Sequence, residues 1–456
     1  MKNIRLLILL FVLLTGNFVS SQSKKWSLQE CVDYALKNNI SIKQSELDIQ
    51  TASIAKKDAI ANFLPNVNAS ATHSWNIGLN QNITTGLLEN QTTQFTQIGL
   101  NSGVAIYNGL QNQNKFRRAN LTKIASEFQL LKMKDDVSLN VANAFLQILF
   151  NKENLKVQKE QLANDEKQQT RSEELVAAGV VARGDLLDMK ATVANDKQNV
   201  INAENNLFLS KLSLAQLLQL DDFQNFDTSE QDYEAKPSQT MQEKPEVIVD
   251  KAKQERLELK IAKSNLDIAE SDLKISKGAF QPSLNGFYSF STRASNSDRI
   301  VTDGAGNVSI EGALPIFDQF SSFKGNNFGF QLSIPIFNGF SVRNNVERSK
   351  IALERNKTVF KQTEQDLERN VYTAITNAKG ALNAFEAATT SLEARKEAFN
   401  YAKEKFAVGM MNSFDFNQSQ TLYSNAQSEV LRTKYDYIFK VKIVEFYFGI
   451  PITKVN

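Results

Sequence analysis

Residues 99–114 read GLNSGVAIYNGLQNQN, and residues 329–344 read GFQLSIPIFNGFSVRN. The two stretches lie 230 positions apart (329 − 99), and the same offset places Asp185 on Asp415. A register that is held for about 120 residues indicates an internal duplication. The fold is therefore decided by one unit that occurs twice in the chain.

Upstream of these stretches the copies align at an offset of 217 (280 − 63), where Phe63-Leu64-Pro65 matches Phe280-Gln281-Pro282. We divide the chain into two repeats, 26–220 and 246–450, which are joined by a linker, 221–245. The change of offset, 13 residues (230 − 217), predicts an insertion in the second copy. The inserted segment is rich in Gly, Asn and Ser, which predicts a loop.

The N-terminus carries a targeting pattern. Residues 1–21 combine a positive start, MKNIR, an apolar run, LLILLFVLL, and an end of small residues. This pattern predicts a secretory signal peptide. The apolar run is too short to span a bilayer as a helix.

The composition argues against several classes of site. Cys31 is the only cysteine and His73 the only histidine, so metal sites of His and Cys and Ser–His–Asp or Cys–His catalysis are disfavoured. We interpret Cys31 as a buried small residue and His73 as a strand residue near lipid. Without Lys2 and Arg5 of the signal peptide, 50 basic and 50 acidic residues remain, which gives no electrostatic case for nucleic-acid binding. We expect no enzyme activity, no cofactor and no metal.

Long helices dominate each repeat. No proline occurs from 66 to 236 or from 336 to 450, and apolar residues recur at the alternating spacing of three and four that is typical of coiled coils. In the first copy we predict helices over about 40–62, 110–177 and 185–219. A helix over 110–177 has a length of roughly 100 Å, which is too long for a compact globular domain.

Between these helices the period changes to two. In NVNASATHSWNIGLN, which begins at Asn66, apolar and polar residues alternate strictly. Strands of this pattern, with the aromatic residues Trp75, Tyr107 and Phe337 near their ends, are typical of outer-membrane barrels. The predicted strands are about 66–80, 95–108, 282–293 and 327–338.

Four strands are too few to close a barrel, because small closed barrels need about eight. An open sheet edge is not tolerated in lipid. The chain must therefore contribute its strands to an oligomer.

These features together resemble the TolC-like outer-membrane efflux proteins. The resemblance rests on the repeated helix-strand-strand-helix-helix unit, on FLP and FQP before the strand pairs, on IYNGL and IFNGF after them, and on the turns AAGVVARGDLL and AVGMMNSFDFN. It implies a mainly α chain with a transmembrane β-barrel portion, in which three chains share one barrel and the long helices form a periplasmic α-barrel. The linker 221–245 is expected at an equatorial belt around that α-barrel.

The resemblance also implies a function. Members of the family form passive trimeric exit ducts of tripartite efflux or type I secretion systems in the Gram-negative outer membrane. They bind a periplasmic adaptor (a membrane fusion protein) and an RND or ABC pump of the inner membrane. The alternative from a different class is a coiled-coil structural or adhesion protein of the envelope without a pore.

Two turns, 176–185 and 406–415, are expected at the periplasmic tip. Asp185, Asp188 and Asp415 are gate candidates, because a ring of carboxylates at a constriction favours cations. The alternative for Asp185 and Asp415 is N-capping of the helices that follow.

The family pattern is incomplete at this gate. The family pairs the position of Asp415 with a second aspartate three residues later, which is Gln418 here. The basic residue that locks the family's archetype is replaced by Met411, so Arg183 is the remaining candidate for a lock.

The glycine-centred turns hold the candidates for adaptor docking. These are Gly179 and Val180 in the first copy and Gly409 and Met410 in the second. A helix C-cap glycine in left-handed geometry is the structural role expected of both glycines.

Overall fold

The structure is a computed structural model that describes residues 25–81, 86–229, 233–235 and 238–452. The predicted signal peptide, 1–21, lies outside the described residues. The chain forms two compact units. Unit 1 comprises Met1–Leu47, Phe128–Leu259 and Gln362–Asn456, and unit 2 comprises Asp48–Glu127 and Lys260–Lys361.

The bounds of the elements are as follows. The α-helices are α1 (Leu28–Asn38), α2 (Ile40–Ala61), α3 (Gln111–Ala177), α4 (Arg183–Leu218), α5 (Pro245–Glu255), α6 (Leu257–Gly278), α7 (Ile316–Ser322), α8 (Ser341–Ala407) and α9 (Ser413–Tyr447). The strands are β1 (Lys25–Trp26), β2 (Asn66–Gln81), β3 (Leu88–Asn108), β4 (Asp227–Thr228), β5 (Ser283–Ser295), β6 (Arg299–Thr302), β7 (Val308–Glu311) and β8 (Gly325–Ser333). A short 3₁₀ helix covers Gln239–Gln242.

The helices repeat with the offsets seen in the sequence. The long helices α3 and α8 both contain 67 residues and begin 230 positions apart (341 − 111). The pairs α1 and α5, and α2 and α6, begin 217 positions apart (245 − 28 and 257 − 40). None of the described helices combines the length and the apolar character that a membrane-crossing helix needs.

Unit 2 contains a four-stranded antiparallel sheet in the order β2-β3-β5-β8. Its edge strands are β2 and β8, so each half of the duplication contributes one edge and one inner strand. A register shift between Ala105 and Tyr107 interrupts the pairing of β3 with β5, and such a bulge bends a strand locally.

Two of the predicted strands have different ends. Strand β3 begins at Leu88, earlier than the predicted residue 95. Strand β8 ends at Ser333, before the predicted residue 338. Pro335 explains the early end, because proline has no backbone N–H to donate to a neighbouring strand. Phe337 therefore lies outside the sheet.

The insertion predicted as a loop is structured. Strands β6 and β7 pair as a hairpin, and α7 follows them. The side-chain amide of Gln319 donates to the carbonyl of Ser295 and accepts from its N–H, both at 2.8 Å. Because β8 pairs with β5 only as far as Ser291, Gln319 replaces a strand partner for the end of β5. Composition did not reveal this role, since it depends on one long-range contact.

The core of unit 1 lies where α1, α3, α4 and α9 meet. Phe145, Ile148, Leu214 and Leu218 are fully buried there. Cys31 belongs to the same core, which agrees with its interpretation as a buried small residue.

Part of the linker is attached to this core. Strand β4 pairs in parallel with β1, and Asp227 accepts ion pairs from Lys152 at 2.8 Å and from Lys211 at 2.9 Å. Burial alone raises the pKa of Asp227, but the hydrogen bonds from the two lysines outweigh it and hold the pKa below its usual range. The linker is thereby anchored to both α3 and α4.

Candidate functional site: the two helical turns

The first turn connects α3 to α4. The N–H of Gly179 donates to the carbonyl of Val176 at 3.0 Å, and that of Val180 to the carbonyl of Leu175 at 2.9 Å. Gly179 has a φ of 71°. These two hydrogen bonds, together with a residue in the left-handed conformation at the helix end, form a Schellman motif. Glycine suits this position because it has no Cβ, which is strained at positive φ.

The second turn has the same geometry. The N–H of Gly409 donates to the carbonyl of Phe406 at 3.2 Å, and that of Met410 to the carbonyl of Lys405 at 2.8 Å. Gly409 has a φ of 74°. The C-cap role expected of both glycines is therefore present in the structure.

The docking candidates are accessible. Val180 is 67% exposed and Met410 is 76% exposed. A Cβ added at Gly179 or Gly409 would meet no atom within 4 Å. Both turns therefore present apolar side chains to solvent within unit 1, while a role in docking stays a prediction.

Asp185 lies in the first turn of α4 and is not the N-cap. The helix begins at Arg183, so the N-cap is Ala182, which makes no side-chain cap bond. Asp185 instead accepts a hydrogen bond at 2.7 Å from the hydroxyl of Ser413, the first residue of α9. This bond joins the two turns, which are 228 positions apart in sequence. The N-cap interpretation of Asp185 is therefore wrong.

Asp415 is also not an N-cap. Asn412 caps α9, because its side-chain oxygen accepts from the N–H of Asp415 at 2.8 Å. The Asn412 amide in turn donates to the Asp415 carboxylate at 2.9 Å. Asp415 thus occupies the third helical position, and Asn412 and Asp415 are joined by two hydrogen bonds that together cap the helix. The helix dipole also stabilises a negative charge at this position.

The remaining gate candidates are exposed. Asp188 and Arg183 lie on the surface of α4. Within the described part of the chain, Arg183 forms no ion pair with Asp185, Asp188 or Asp415. A single chain therefore does not contain the lock predicted through Arg183.

Two neighbouring aspartates, the buried Asp165 and the half-buried Asp196, lie further along the same helices. Asp165 of α3 is fully buried and accepts from Gln161 at 2.8 Å and from Gln420 of α9. Burial, and then a hydrogen bond to Asp165, raise the pKa of Asp196 on α4 to about 8. Asp196 therefore keeps its proton near neutral pH.

The three aromatic residues predicted near the strand ends, as candidates for the aromatic girdle of a membrane barrel, lie in different environments. Trp75 of β2 is 59% exposed and packs edge-on against His73, with ring centroids 4.2 Å apart. Tyr107 lies near the end of β3 and donates to the side chain of Gln281. Phe337, outside the strands, packs edge-on against Phe340.

Several residues of this site were not predicted. The cap at Asn412 has a local signal, an Asn three residues before an Asp, that sequence reasoning can use. Ser413 and Gln420 have none, because their partners lie more than 200 positions away. Among the described residues, no three His, Cys, Asp or Glu side chains converge as a metal site would require.

Comparisons with known proteins agree with this architecture. A family model described as outer membrane efflux protein matches residues 31–219 and 248–441, ranges that fall within the two repeats predicted from the sequence. The outer membrane protein TolC of Vibrio cholerae serotype O1 is 23% identical over 335 residues, which cover 69% of this chain and 68% of that protein. TolC of Escherichia coli (strain K12) is 20% identical over 429 residues, covering 92% and 81%. The crystal structure of the Campylobacter jejuni CmeC outer membrane channel is similar with a TM-score of 0.77 at 19% identity, over 92% of this chain and 85% of that one.

Proposed function

Because this chain belongs to the outer membrane efflux protein family, we propose that it is the exit duct of a tripartite efflux or type I secretion system. The membership confirms the resemblance found in the sequence and the location in the outer membrane of a Gram-negative bacterium, with a large periplasmic portion. The active form is a homotrimer that conducts solutes passively. It needs no cofactor and performs no covalent chemistry.

The observation that carries this proposal is the sheet of unit 2. One face is apolar and exposed, since Ile77 is 82% exposed, Phe328 78% and Phe330 76%. Residues that pair directly across neighbouring strands share a face, and the residues that alternate with them, on the opposite face, are mainly Asn, Ser, Thr, Gln and Gly. An outward apolar face and an inward polar face are what a water-filled barrel in lipid requires.

The two free edges explain the oligomer. Strands β2 and β8 each have one neighbour in the sheet, and lipid offers no partner for an open edge. Pairing of β8 with β2 of the next chain removes both edges. Four strands from each of three chains make a barrel of twelve, with Trp75, Tyr107 and Phe337 as aromatic residues at its borders.

The helices supply the periplasmic part. The 67-residue helices α3 and α8 form an α-barrel in the trimer, and the linker 221–245 lies at its equator. The turns at Gly179–Val180 and Gly409–Met410 form the periplasmic tip. Their exposure supports docking of a periplasmic adaptor, which connects the duct to an RND or ABC pump.

The gate lies at the same tip. In a trimer, Asp185, Asp188 and Asp415 each become a ring of three carboxylates, which favours cations at a constriction. The Ser413–Asp185 bond ties the two turns of each chain together and supports a closed resting state. Opening then requires the adaptor and the pump to separate the turns.

The non-pore alternative has less support. A coiled-coil structural or adhesion protein predicts uninterrupted heptads and no strand that faces lipid. The exposed apolar face of the sheet has no role in such a protein.

Purification in detergent and reconstitution test the proposal. We expect a trimer that dissociates on heating in SDS and that conducts ions in planar bilayers. A monomer, or a trimer without conductance in lipid, overturns the exit-duct function.

A further inference from the structure

The insertion in the second copy encloses a cavity at the end of β5. The cavity has a volume of about 240 Å³ and belongs to unit 2. It is bounded by the last residues of β5, by the start and the end of the hairpin β6–β7, and by the chain around α7. Apolar side chains form much of its lining: Phe95, Ala294, Ala313, Leu314 and Phe323.

Three residues that line the cavity, Phe95, Arg293 and Ser295, belong to the polar face of the sheet. Residues that pair directly across neighbouring strands share a face. Phe95 pairs with Ser295 of β5 and with Ser74 of β2, and Arg293 pairs with Gln97 of β3. Ser74 is one of the polar residues in the alternation of β2. In the proposed barrel this face surrounds the water-filled interior, so the cavity is reached from there.

The cavity lies at the end of β5 that is remote from the helices. Strand β5 follows α6 and extends from Ser283 to Ser295, over 13 residues, which is about 40 Å along the strand. The neighbouring strands β2 and β3 are joined to α2 and α3 at the same end at which β5 begins. Because the helices are periplasmic in the proposed duct, the cavity is at its extracellular mouth.

Arg293 supplies the cavity with a cation that has no anionic partner. Among the described residues its guanidinium forms no ion pair, and it lies over the ring of Phe323 with 6.0 Å between the guanidinium carbon and the ring centroid. The second arginine of the lining, Arg299, is paired with Glu311 at 2.5 Å. Arginine has five N–H donors and no acceptor. Arg293 can therefore bind a carboxylate through two parallel hydrogen bonds.

The rest of the lining restricts the charge and the size of a ligand. Gln319 uses both of its donors within the wall, since its amide donates to the carbonyls of Ser295 and Leu314 at 2.8 and 2.7 Å. Asp298 also lines the cavity, so two arginines and one aspartate leave one positive charge in excess, which favours a monoanion. Sites for drug-sized ligands have volumes of about 300–1,000 Å³. A cavity of about 240 Å³ therefore suits a smaller molecule, of one or two rings.

We propose that this cavity binds a small aromatic carboxylate. The carboxylate accepts hydrogen bonds from Arg293, and the aromatic ring packs on Phe95 and Phe323, because aromatic rings favour edge-on or offset contacts with one another. A mostly apolar lining with few polar groups that fix the orientation is typical of small-molecule sites. Binding itself depends only on unit 2, whereas its place at the mouth rests on the proposed exit duct. There a bound anion narrows the path of the exported solute.

Calorimetric titration of the purified full-length protein in detergent tests the site. The probes are 2-naphthoate and 2-naphthamide, which have the same ring system and differ in charge. We expect 2-naphthoate to saturate one site per chain and to bind at least tenfold more tightly than 2-naphthamide. Equal affinity for the two probes, or no saturable binding of 2-naphthoate, overturns the inference.

Three variants assign the binding to this cavity. We expect Arg293→Gln and Phe323→Ala to weaken binding of 2-naphthoate by at least tenfold. Lys324→Gln is the matched control, because it removes an equal charge beside Phe323, and Lys324 does not line the cavity. It should bind as the wild type does, and it reports any uptake of the probe by the detergent. Arg293→Gln with the affinity of the wild type overturns the inference.

Planar bilayers separate this site from the proposed function. We expect 2-naphthoate, added on the extracellular side, to lower the current through the wild type and to leave that through Arg293→Gln unchanged. A protein that conducts ions but does not bind 2-naphthoate overturns the site alone. A protein that binds 2-naphthoate through Arg293 but does not conduct overturns the exit-duct function alone. Binding without any effect on the current overturns the place of the site at the mouth.

Discussion

The hydroxyl of Ser413 donates a hydrogen bond of 2.7 Å to the Asp185 carboxylate. These residues belong to different copies of the duplicated unit, and each lies in the first turn of a helix that follows a Schellman turn. Asp185 thus joins the two turns, a contact that its position in one helix does not reveal. In the proposed exit duct, the gate is expected to open when the two turns separate.

Ser413→Ala should loosen the tip. The substitution removes the hydrogen bond that joins Asp185 to α9 and leaves a half-buried carboxylate without that donor, at a cost of about 1 kcal/mol. We expect a higher single-channel conductance in planar bilayers. Ser413→Thr keeps the hydroxyl and serves as the control. Equal conductance of wild type and Ser413→Ala would show that the bond does not hold the gate.

Neutralising the aspartates should change ion selectivity. For Asp185→Asn, Asp188→Asn and Asp415→Asn combined, we expect the preference for K⁺ over Cl⁻ to fall by roughly threefold, because a ring of charges raises the local counter-ion concentration. Block by multivalent cations should weaken in parallel. The measurement is the reversal potential in a salt gradient. Unchanged selectivity together with unchanged block restricts the aspartates to a structural role.

Replacing the turn glycines should strain the tip. Gly179→Ala and Gly409→Ala place a Cβ at φ values of 71° and 74°, which costs about 1 kcal/mol each. We expect lower unfolding temperatures for both variants. Gly184→Ala is the opposite control, because Gly184 lies inside α4 and alanine has a higher helix propensity. A pull-down with the adaptor then reports whether intact turns are needed for docking.

Stability should depend on pH through Asp196. In the folded chain Asp196 keeps its proton up to a pKa of about 8, whereas an unfolded aspartate releases it near pH 4. The folded state therefore binds more protons between these values, and stability falls as pH rises from about 4 to about 8. Above pH 8 this contribution no longer changes.

Asp196→Asn isolates this effect. Asparagine keeps a donor for Asp165 and cannot ionise, so we expect a smaller loss of unfolding temperature between pH 5 and about 8 than in wild type. Asp188→Asn, an exposed aspartate on the same helix, should leave the profile of the wild type. If the unfolding temperature of Asp196→Asn depends on pH as that of the wild type does, the pH dependence arises from other groups.

Helices and strands were predicted well where the spacing of apolar residues along the sequence was regular. The long helix predicted over 110–177 is Gln111–Ala177, because an unbroken spacing of three and four without Pro or Gly admits no other regular structure. The strand predicted over 66–80 is Asn66–Gln81, because strict alternation reports the two faces of a sheet. The prediction was wrong past Ser333, where Pro335 ends a strand that the apolar pattern alone continues.

The site was predicted only in part. The turn glycines were predicted correctly because the left-handed position at a helix end is usually occupied by glycine, and a glycine between two helical stretches is visible in the sequence. The roles of Asp185 and Asp415 as N-caps were wrong because the first helical residue, Arg183 or Ser413, could not be located to within two positions. Helix ends depend on caps and tertiary contacts that compete on the scale of about 1 kcal/mol.

The sequence by itself determined the duplication, the lengths of the helices and the two-faced strands, since each depends on neighbours within a few turns of chain. Only the tertiary structure decided that Ser413 binds Asp185, that Gln420 reaches Asp165, and that Gln319 covers the end of β5. These contacts need atoms within about 3 Å of one another across distant parts of the chain. Such short distances between distant residues result from tertiary packing, and the local periodicity of the sequence contains no information about them.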